Sequence, residues 1–233
     1  MKKIFHWIFY YFLDIPKIVY FNLKNFPIRQ ALKFPVLLHK CELLGGGEFT
    51  IESEKVYTGM IRIGHRAVSH YPDSGCILEN KGQIVFRGET RIGNQCAVSV
   101  YPKAQLTFGQ DFCMTAGVNI VCTRKITFGN DNLIGWNTTI MDSSFHRMKD
   151  ATTHKFVGKG WEQVEIGDSN WVSSDCKILA GTKTPGHCVV GANSLLSKDY
   201  TSYGQNIMLA GGPAKKVKEE IYWDKNDDKP ETI

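Results

Sequence analysis

The chain has 233 residues, of which 42% are hydrophobic and 22% charged, so it is long enough for one sizeable globular domain with small appendages. Its net charge of +5 comes without a dense basic run, which argues against a nucleic-acid partner. Two interpretations of the charge remain, affinity for anionic small ligands or an ordinary mildly basic surface. The seven scattered cysteines form no CxxC pair, which argues against a disulfide framework and a thiolate metal site and favours a reducing compartment such as the cytoplasm.

The chain begins with a basic and aromatic segment. Lys2 and Lys3 precede an apolar run over residues 4–13, which is shorter than the roughly 20 apolar residues of a membrane-spanning helix. No small-residue cleavage site follows it, as a signal peptide would require. The segment is either a helix packed against the main body or an anchor that makes peripheral membrane contact through residues 1–20. Residues 1–45 lack the repeat described next and are predicted to form a separate N-terminal arm or cap.

A six-residue period organises the middle of the chain. Its clearest stretch places a large or β-branched residue at every sixth position: Ile166, Val172, Ile178, Thr184, Val190 and Leu196. A helix repeats about every 3.6 residues and a strand about every 2, so neither explains this period. A coil with three short flat sides explains it, because stacked coils bury the lead residue of each side in one core. Small residues four positions after a lead are predicted to fill the corners, as at Cys96, Cys176 and Cys188. We therefore predict an all-β fold, a parallel β-helix over residues 46–212.

The period is interrupted once and then stops. Polar and aromatic residues replace it between Ile140 and Ile166, which predicts a loop inserted at residues 142–165. Residues 213–233 follow the last coil. A short C-terminal helix is predicted after Pro213, since proline is favoured at a first helical position, and a frayed charged tail is predicted beyond it.

Three segments carry a family resemblance: Ile134-Gly135-Trp136-Asn137 through His146, Ile166-Gly167-Asp168 through Ser194, and Leu209-Ala210-Gly211-Gly212-Pro213-Ala214-Lys215. In this order, over roughly residues 60–218, they resemble the hexapeptide-repeat acyltransferases. The resemblance is greatest to the polysaccharide and lipopolysaccharide O-acetyltransferases and to the maltose, galactoside and virginiamycin-type acetyltransferases. It implies a left-handed β-helix, a homotrimer with active sites between neighbouring chains, and acetyl-CoA as co-substrate with no metal.

The chain departs from the family pattern at three turns. Val172-Ser173 follows Trp171 where the family usually has isoleucine and glycine, Asn193 stands where a second glycine is common, and Gly212 replaces the usual asparagine before Pro213. These changes affect the coil corners beside which the family binds CoA.

His146 is the candidate general base. Its segment resembles the one that leads to the family's catalytic histidine, and an imidazole suits proton removal from a hydroxyl at neutral pH. Asp142, four residues earlier, is predicted to orient the ring as a carboxylate does in a catalytic triad. Asn137 is predicted either to bind the acceptor or to cap a turn at a coil corner. His154 is a second loop histidine, predicted to contact substrate, and is the other candidate for the base.

The resemblance also implies a binding groove for CoA. Five residues match positions along it: Trp171, Ser174, Ala192, Lys215 and Lys218. The lysines would meet the phosphate of CoA, although a solvated basic surface explains them equally simply.

Together these residues predict an acetyl-CoA-dependent O-acetyltransferase that acts on a sugar hydroxyl of a cell-surface glycan or its precursor by direct attack. It is expected in the cytoplasm, with peripheral contact at the inner membrane face. Three alternatives are open. An N-acetyltransferase on a nucleotide-linked amino sugar would use the same fold and base. A zinc enzyme of the carbonic-anhydrase type would need a close histidine pair, which the spacing of His146, His154 and His187 disfavours. A non-catalytic β-helix scaffold would need none of these groups.

Overall fold

The computed structural model describes residues 11–226, and its main elements are short strands separated by turns. The first twelve strands are β1 (Val36–Leu38), β2 (Cys41–Gly45), β3 (Glu48–Ile51), β4 (Ile61–His65), β5 (Cys76–Asn80), β6 (Gln83–Phe86), β7 (Thr90–Gly93), β8 (Ala97–Val100), β9 (Gln105–Phe108), β10 (Phe112–Met114), β11 (Asn119–Cys122) and β12 (Lys125–Phe128). The remaining nine are β13 (Leu133–Ile134), β14 (Thr139–Met141), β15 (Val164–Ile166), β16 (Trp171–Val172), β17 (Lys177–Ile178), β18 (Cys188–Val190), β19 (Leu195–Leu196), β20 (Ile207–Ala210) and β21 (Lys215–Glu219).

The strands form three sheets that the chain visits in rotation. Sheet A has the order β1-β4-β7-β10-β13-β16-β18-β20-β21, sheet B runs from β2 to β19, and sheet C runs from β3 to β15. From β1 to β20, neighbouring strands within a sheet are parallel. For example, Ile120 pairs with Val98 of the preceding coil and with Ile140 of the following one. The predicted three-sided parallel coil is thus confirmed, and its left hand stays a prediction from the family resemblance.

The lead residues of the six-residue period line the inside of the coil. All six positions from Ile166 to Leu196 are buried, with at most 4% of any of them exposed. On sheet C the core is a stack of phenylalanines. The ring of Phe108 lies 5.6 Å from that of Phe86 and 5.8 Å from that of Phe128, nearly parallel to both. Because neighbouring strands lie roughly 4.8 Å apart, the same residue type repeated once per coil forms a continuous aromatic stack in the core.

The corners need residues that tolerate a left-handed backbone. At the corner between sheets A and B, φ is 65° at Gly117, 57° at Asn137, 59° at Asp175 and 57° at Asn193. Asparagine and aspartate adopt this conformation more readily than other side chains, which explains why Asn193 serves where the family commonly has glycine. The buried thiols of Cys96 and Cys176 lie at the A–B corner and that of Cys188 at the C–A corner, which fits their predicted structural role.

A helical cap covers the first coil. After a 3-10 turn at Phe12–Asp14, helix α1 (Ile15–Asn25) and the short helix α2 (Ile28–Ala31) lead into β1. Asn22 of α1 bonds both backbone groups of Val36, donating to its carbonyl oxygen at 2.8 Å and accepting from its N–H at 3.1 Å. The cap therefore satisfies the open edge of sheet A. The coil begins ten residues earlier than the predicted boundary at residue 46, because β1 and β2 already form two of its sides.

The other end of sheet A is closed by a strand, which corrects the predicted C-terminal helix. Residues Lys215–Glu219 form β21, antiparallel to β20. The exposed backbone edge of β20 offers hydrogen bonds that a helix would leave unpaired, so strand pairing prevails over the local proline signal. The chain then runs back along the coil, where Lys225 forms ion pairs with Asp111 and Asp131.

Two predictions concern residues largely outside the described range: the basic, aromatic start within residues 1–10 and the frayed tail predicted from Asp224 to Ile233, of which the structure describes only 224–226. Between residues 11 and 226, no helix has the length and apolar character needed to cross a bilayer.

Candidate active site

The carboxylate of Asp142 fastens the start of the inserted loop to the preceding coil. It is fully buried. Its Oδ1 accepts hydrogen bonds from the backbone N–H and the hydroxyl of Thr123, at 2.7 and 2.8 Å. Its Oδ2 accepts from the backbone N–H groups of Arg124 and Lys125, at 2.7 and 2.8 Å. None of these four bonds reaches His146, so the predicted orienting role of Asp142 is not supported. The buried carboxylate needs its acceptor sites filled, and the 123–125 turn fills them.

The inserted loop folds back on itself as an irregular hairpin. Ser143 and Trp161 pair in antiparallel fashion near its base, and Lys149 and Phe156 pair further out. The Ser143 hydroxyl also donates to the carbonyl oxygen of Gly160 at 2.8 Å. These cross-links give the loop a defined shape although it lacks the six-residue period.

His146 lies on the outgoing arm of this hairpin, between the two paired positions, and is exposed. The preceding turn is fixed by the Phe145 N–H, which donates to Ser143 Oγ at 3.0 Å, and Phe145 has a φ of 63°. The hydroxyl of Ser144 donates to the His146 carbonyl oxygen at 3.1 Å. Within the described part of the chain, no group hydrogen-bonds the imidazole, so both ring nitrogens are open to a substrate.

His154 lies at the turn of the hairpin, with a φ of 55°. Its N–H donates to the carbonyl oxygen of Asp150 at 2.9 Å. The N–H groups of Thr153 and Thr152 and the Thr153 hydroxyl bond the Asp150 carboxylate, which lowers the pKa of that carboxyl. The turn is therefore built by its own polar groups, and the substrate contact of His154 stays a prediction.

An open cleft of ≈ 320 Å³, called here the loop cleft, lies between the base of the hairpin and the two preceding coils. Its lining includes three aromatic and three cationic side chains: Tyr101, Phe145, Trp161, Arg124, Arg147 and Lys159. The residues on either side of His146 thus both face this cleft. Tyr101 and Arg124 are functional candidates that the sequence interpretation missed. They lie at the same B–C corner as the loop but 22 to 45 positions earlier, so only an alignment of corresponding coil corners would indicate them.

Asn137 is held at the A–B corner by its neighbours. Its Oδ1 accepts from the hydroxyl of Tyr71 at 2.9 Å, and its Nδ2 donates to Asp175 Oδ1 at 3.2 Å. Sheet B separates this corner from the inserted loop, so the geometry supports the corner-capping interpretation of Asn137. The ring of the neighbouring Trp136 contacts His70, with 5.1 Å between centroids.

The five residues predicted to bind CoA lie along sheet A and its corner with sheet B. Trp171 pairs with Val189, Val189 with Met208, and Met208 with Lys218, so Trp171 and Lys218 belong to one row across sheet A. Trp171 is 37% exposed at one end of this row.

The other three predicted CoA residues flank that row. Ser174 and Ala192 lie at successive A–B corners, where the N–H of the next residue, Asn193, donates to the Ser174 carbonyl oxygen at 3.1 Å. Lys215 begins β21 and is exposed. The structure therefore brings the CoA candidates together, but on a different side of the coil from His146.

The thiols are poorly suited to covalent catalysis. Burial raises the pKa of Cys188 to about 12, and burial together with the nearby Asp142 carboxylate raises the pKa of Cys122 to about 12. A thiolate, not a thiol, is the nucleophile, so these groups are inert at neutral pH. No three His, Cys, Asp or Glu side chains between residues 11 and 226 lie close enough to hold a metal ion. His187 contacts Tyr222 at the C–A corner, away from the inserted loop.

Comparison with known proteins identifies sequence relatives and structural neighbours. No family model matches the chain. WbbJ of Escherichia coli (strain K12), which carries the name of a lipopolysaccharide biosynthesis O-acetyl transferase, is 26% identical over 161 residues, or 64% of this chain and 81% of that protein. The galactoside O-acetyltransferase of the same organism is 25% identical over 120 residues, so the match spans 50% of this chain and little more than half, 55%, of that enzyme. The crystal structure of the polySia specific acetyltransferase NeuO has the same fold, with a TM-score of 0.54 over 82% of this chain and 92% of that chain at 17% identity.

Proposed function

We propose that this chain is a hexapeptide-repeat acyltransferase and that it transfers the acetyl group of acetyl-CoA to a sugar hydroxyl of a cell-surface glycan or its precursor. One observation carries the proposal. His146 is exposed on the hairpin, no described group hydrogen-bonds its imidazole, and the residues before and after it, Phe145 and Arg147, line a cleft of ≈ 320 Å³. A cleft of this size lies at the lower end of the roughly 300–1,000 Å³ of small-molecule sites.

The proposed chemistry is direct transfer. The imidazole of His146 accepts the hydroxyl proton of the sugar as the sugar oxygen forms a bond to the thioester carbonyl carbon. The carbon–sulfur bond then breaks, and the proton held by His146 passes to the leaving sulfur, which gives an acetyl ester and the thiol of CoA. The raised pKa values of the buried thiols favour this route over an acyl-enzyme.

The placement of the two half-sites supports a site shared between chains. His146 projects from the B–C corner, whereas Trp171 and Lys218 lie on sheet A of the same chain. A single chain therefore does not bring the base and the proposed CoA surface together. In the proposed homotrimer, the hairpin of one chain would face sheet A of its neighbour, since a cyclic assembly repeats one heterologous contact around its axis.

The test is release of CoA thiol from acetyl-CoA in the presence of neutral and acidic oligosaccharides, for the wild type, His146→Ala and His154→Ala. We expect acceptor-dependent turnover that falls about 10²- to 10⁴-fold in His146→Ala and much less in His154→Ala, which would lose a substrate contact but not the base. Equal rates for the wild type and His146→Ala would reject His146 as the base. Transfer to an amino sugar but to no hydroxyl would replace O-acetylation by N-acetylation.

We also propose that the enzyme works in the cytoplasm, in peripheral contact with the inner membrane face. The N-terminal cap leaves Leu13 90% and Phe12 63% exposed. Lys17, Tyr20 and Lys24 are exposed on α1, with the Lys24 ammonium 5.6 Å from the Tyr20 ring centroid. Exposed apolar side chains beside lysines suit an anionic lipid surface.

A further inference from the structure

The loop cleft beside His146 carries positive charge that no carboxylate in its lining offsets. Arg124, Arg147 and Lys159 contribute three cations, and the lining contains no aspartate or glutamate. The carboxylate of Asp142, next to the lining residue Ser143, is fully buried and engaged by four donors. An anion in this cleft would therefore meet uncompensated positive charge.

The two guanidinium groups are held in place before any ligand arrives. Arg124 lies over the ring of Trp161, with 5.8 Å between the guanidinium carbon and the ring centroid. Arg147 lies 4.1 Å from the Phe156 ring centroid and donates to the Gly158 carbonyl oxygen at 3.1 Å. Each stacked arginine keeps further N–H donors for a ligand, and a planar fork of donors matches the two oxygens of a carboxylate.

Aromatic surfaces lie next to these charges. The rings of Tyr101 and Phe145 are 5.4 Å apart at an angle of 52°, and Trp161 lies on the other side of the cleft. Tyr101 and Phe145 are 39% and 51% exposed. Aromatic rings of this kind bind the C–H faces of a sugar ring, because such a ligand presents one apolar and one polar surface.

A second, larger cleft continues from the first. It has a volume of ≈ 600 Å³, shares Lys159 and Trp161 with the loop cleft, and adds Lys183 and Lys198. Lys183 is paired at 3.6 Å with Glu165, and Glu162 and Asp199 also line this cleft, so its charge is more balanced. Two joined clefts provide room for more than one sugar unit, with the stronger positive charge next to His146.

We infer that the acceptor is an acidic oligosaccharide or polysaccharide whose sugars bear carboxylates. One carboxylate binds between Arg124, Arg147 and Lys159, and the neighbouring units continue along Trp161 into the second cleft. This inference rests on the proposed acetyltransferase function and assigns its acceptor class. Charge on the acceptor would then place one hydroxyl of the bound sugar beside His146, since two of the three anchoring cations, Arg147 and Lys159, lie on the same hairpin as the base.

The test is direct binding, measured by isothermal titration calorimetry on the full chain at low salt. The probes are tetrasaccharides of galacturonic acid and of sialic acid, the methyl esters of both, and a hexose phosphate. We expect at least one acid to bind about tenfold or more tightly than its own ester, an advantage that shrinks as salt is raised. Equal affinity of acid and ester in both pairs would overturn the inference. Preference for the hexose phosphate over both acids would overturn the assignment to carboxylates.

Two variants test the cleft itself. Arg147→Gln and Lys159→Gln should each weaken binding of the acid about three- to tenfold and leave binding of the ester unchanged. Lys159 has no ion-pair partner among the described residues, so its replacement leaves the hairpin intact even if loss of Arg147 disturbs it. Arg29→Gln, which removes the same charge from the exposed surface of the N-terminal cap, is the matched control and should bind as the wild type does. Unchanged binding by Lys159→Gln would place the acid elsewhere.

The variant His146→Ala separates this inference from the proposed function. It should bind the acid as the wild type does while losing turnover. Acid binding without turnover by the wild type would reject the acetyltransferase proposal and keep the acidic ligand. Turnover on neutral sugars without selective binding of acids would keep the acetyltransferase proposal and reject the acidic acceptor.

Discussion

The Oδ2 atom of Asp142 accepts a hydrogen bond from the backbone N–H of Arg124 at 2.7 Å. This bond joins the first residue of the inserted loop to the residue whose guanidinium lies over Trp161 at the cleft wall. The loop that carries His146 and the surface that faces it therefore have one common anchor, and the structure gives Asp142 a positioning contact and no contact with the imidazole.

We predict that Asp142→Ala destabilises the fold, by about 3 kcal/mol, because three backbone N–H groups and a hydroxyl lose their acceptor. Its kcat should fall roughly tenfold as the hairpin shifts. Urea unfolding and steady-state kinetics measure the two effects. His146→Ala is the matched control, with wild-type stability and a much larger loss of kcat. A stable Asp142→Ala enzyme with a changed pH profile would instead indicate that Asp142 orients the base.

We predict that two inactive variants restore each other when mixed. His146→Ala lacks the base and Trp171→Ala lacks part of the proposed CoA surface. In a homotrimer whose sites form between chains, each site takes the base from one chain and the CoA surface from its neighbour. After an equal mixture is refolded, about a quarter of the sites therefore contain both native groups. Thiol release should recover to about that fraction of the wild-type rate. If the site lay within one chain, the mixture would stay as inactive as its components.

We predict that the chain loses stability below neutral pH through His65. Burial is the main cause that lowers the pKa of this imidazole to about 4, and the charges of Arg62 and Arg91 add to it. The unfolded chain, with a histidine pKa near 6.5, then binds the proton first as the pH falls. The contribution of neutral His65 to the free energy of unfolding is complete above about pH 6.5. It decreases as the pH falls from about 6.5 to about 4, by about 3 kcal/mol in total.

Urea unfolding at pH 7, 5.5 and 4.5 measures this dependence. His65→Gln should flatten it, whereas His146→Gln, which removes an exposed histidine, should leave it as in the wild type. An equally steep loss of stability in His65→Gln would assign the effect to other groups.

We predict that the N-terminal cap binds anionic membranes. The full chain should sediment with vesicles that contain phosphatidylglycerol and should not sediment with neutral ones. Replacing the exposed Phe12 and Leu13 by serine should weaken this binding about tenfold or more, since both side chains would enter the interface. Ile28→Ser, at an exposed apolar residue of α2, is the control. Binding that survives the double substitution would show that the cap does not insert through these residues.

The sequence by itself determined the repeat architecture. Lead residues such as Val172 and Ile178 recur every six positions because each coil has three flat sides of about six residues. Each side contributes one lead residue to the common core. Local chemistry likewise determined the corners, where Asn193 adopts the left-handed backbone that few other side chains accept. The family resemblance and the inserted loop followed from the same pattern, since the loop is where the pattern stops.

Tertiary structure alone decided the rest, because it depends on groups far apart in sequence. The hydrogen-bond donors to Asp142 lie 17 to 19 positions earlier in the chain, which the spacing of Asp142 to His146 does not reveal. The segment after Pro213 became a strand because β20 presented an open edge. The loop cleft combined Tyr101 and Arg124 with the hairpin because stacked coils align their corners. A periodic sequence determines what each corner must tolerate, and the stacking of coils determines which corner side chains meet.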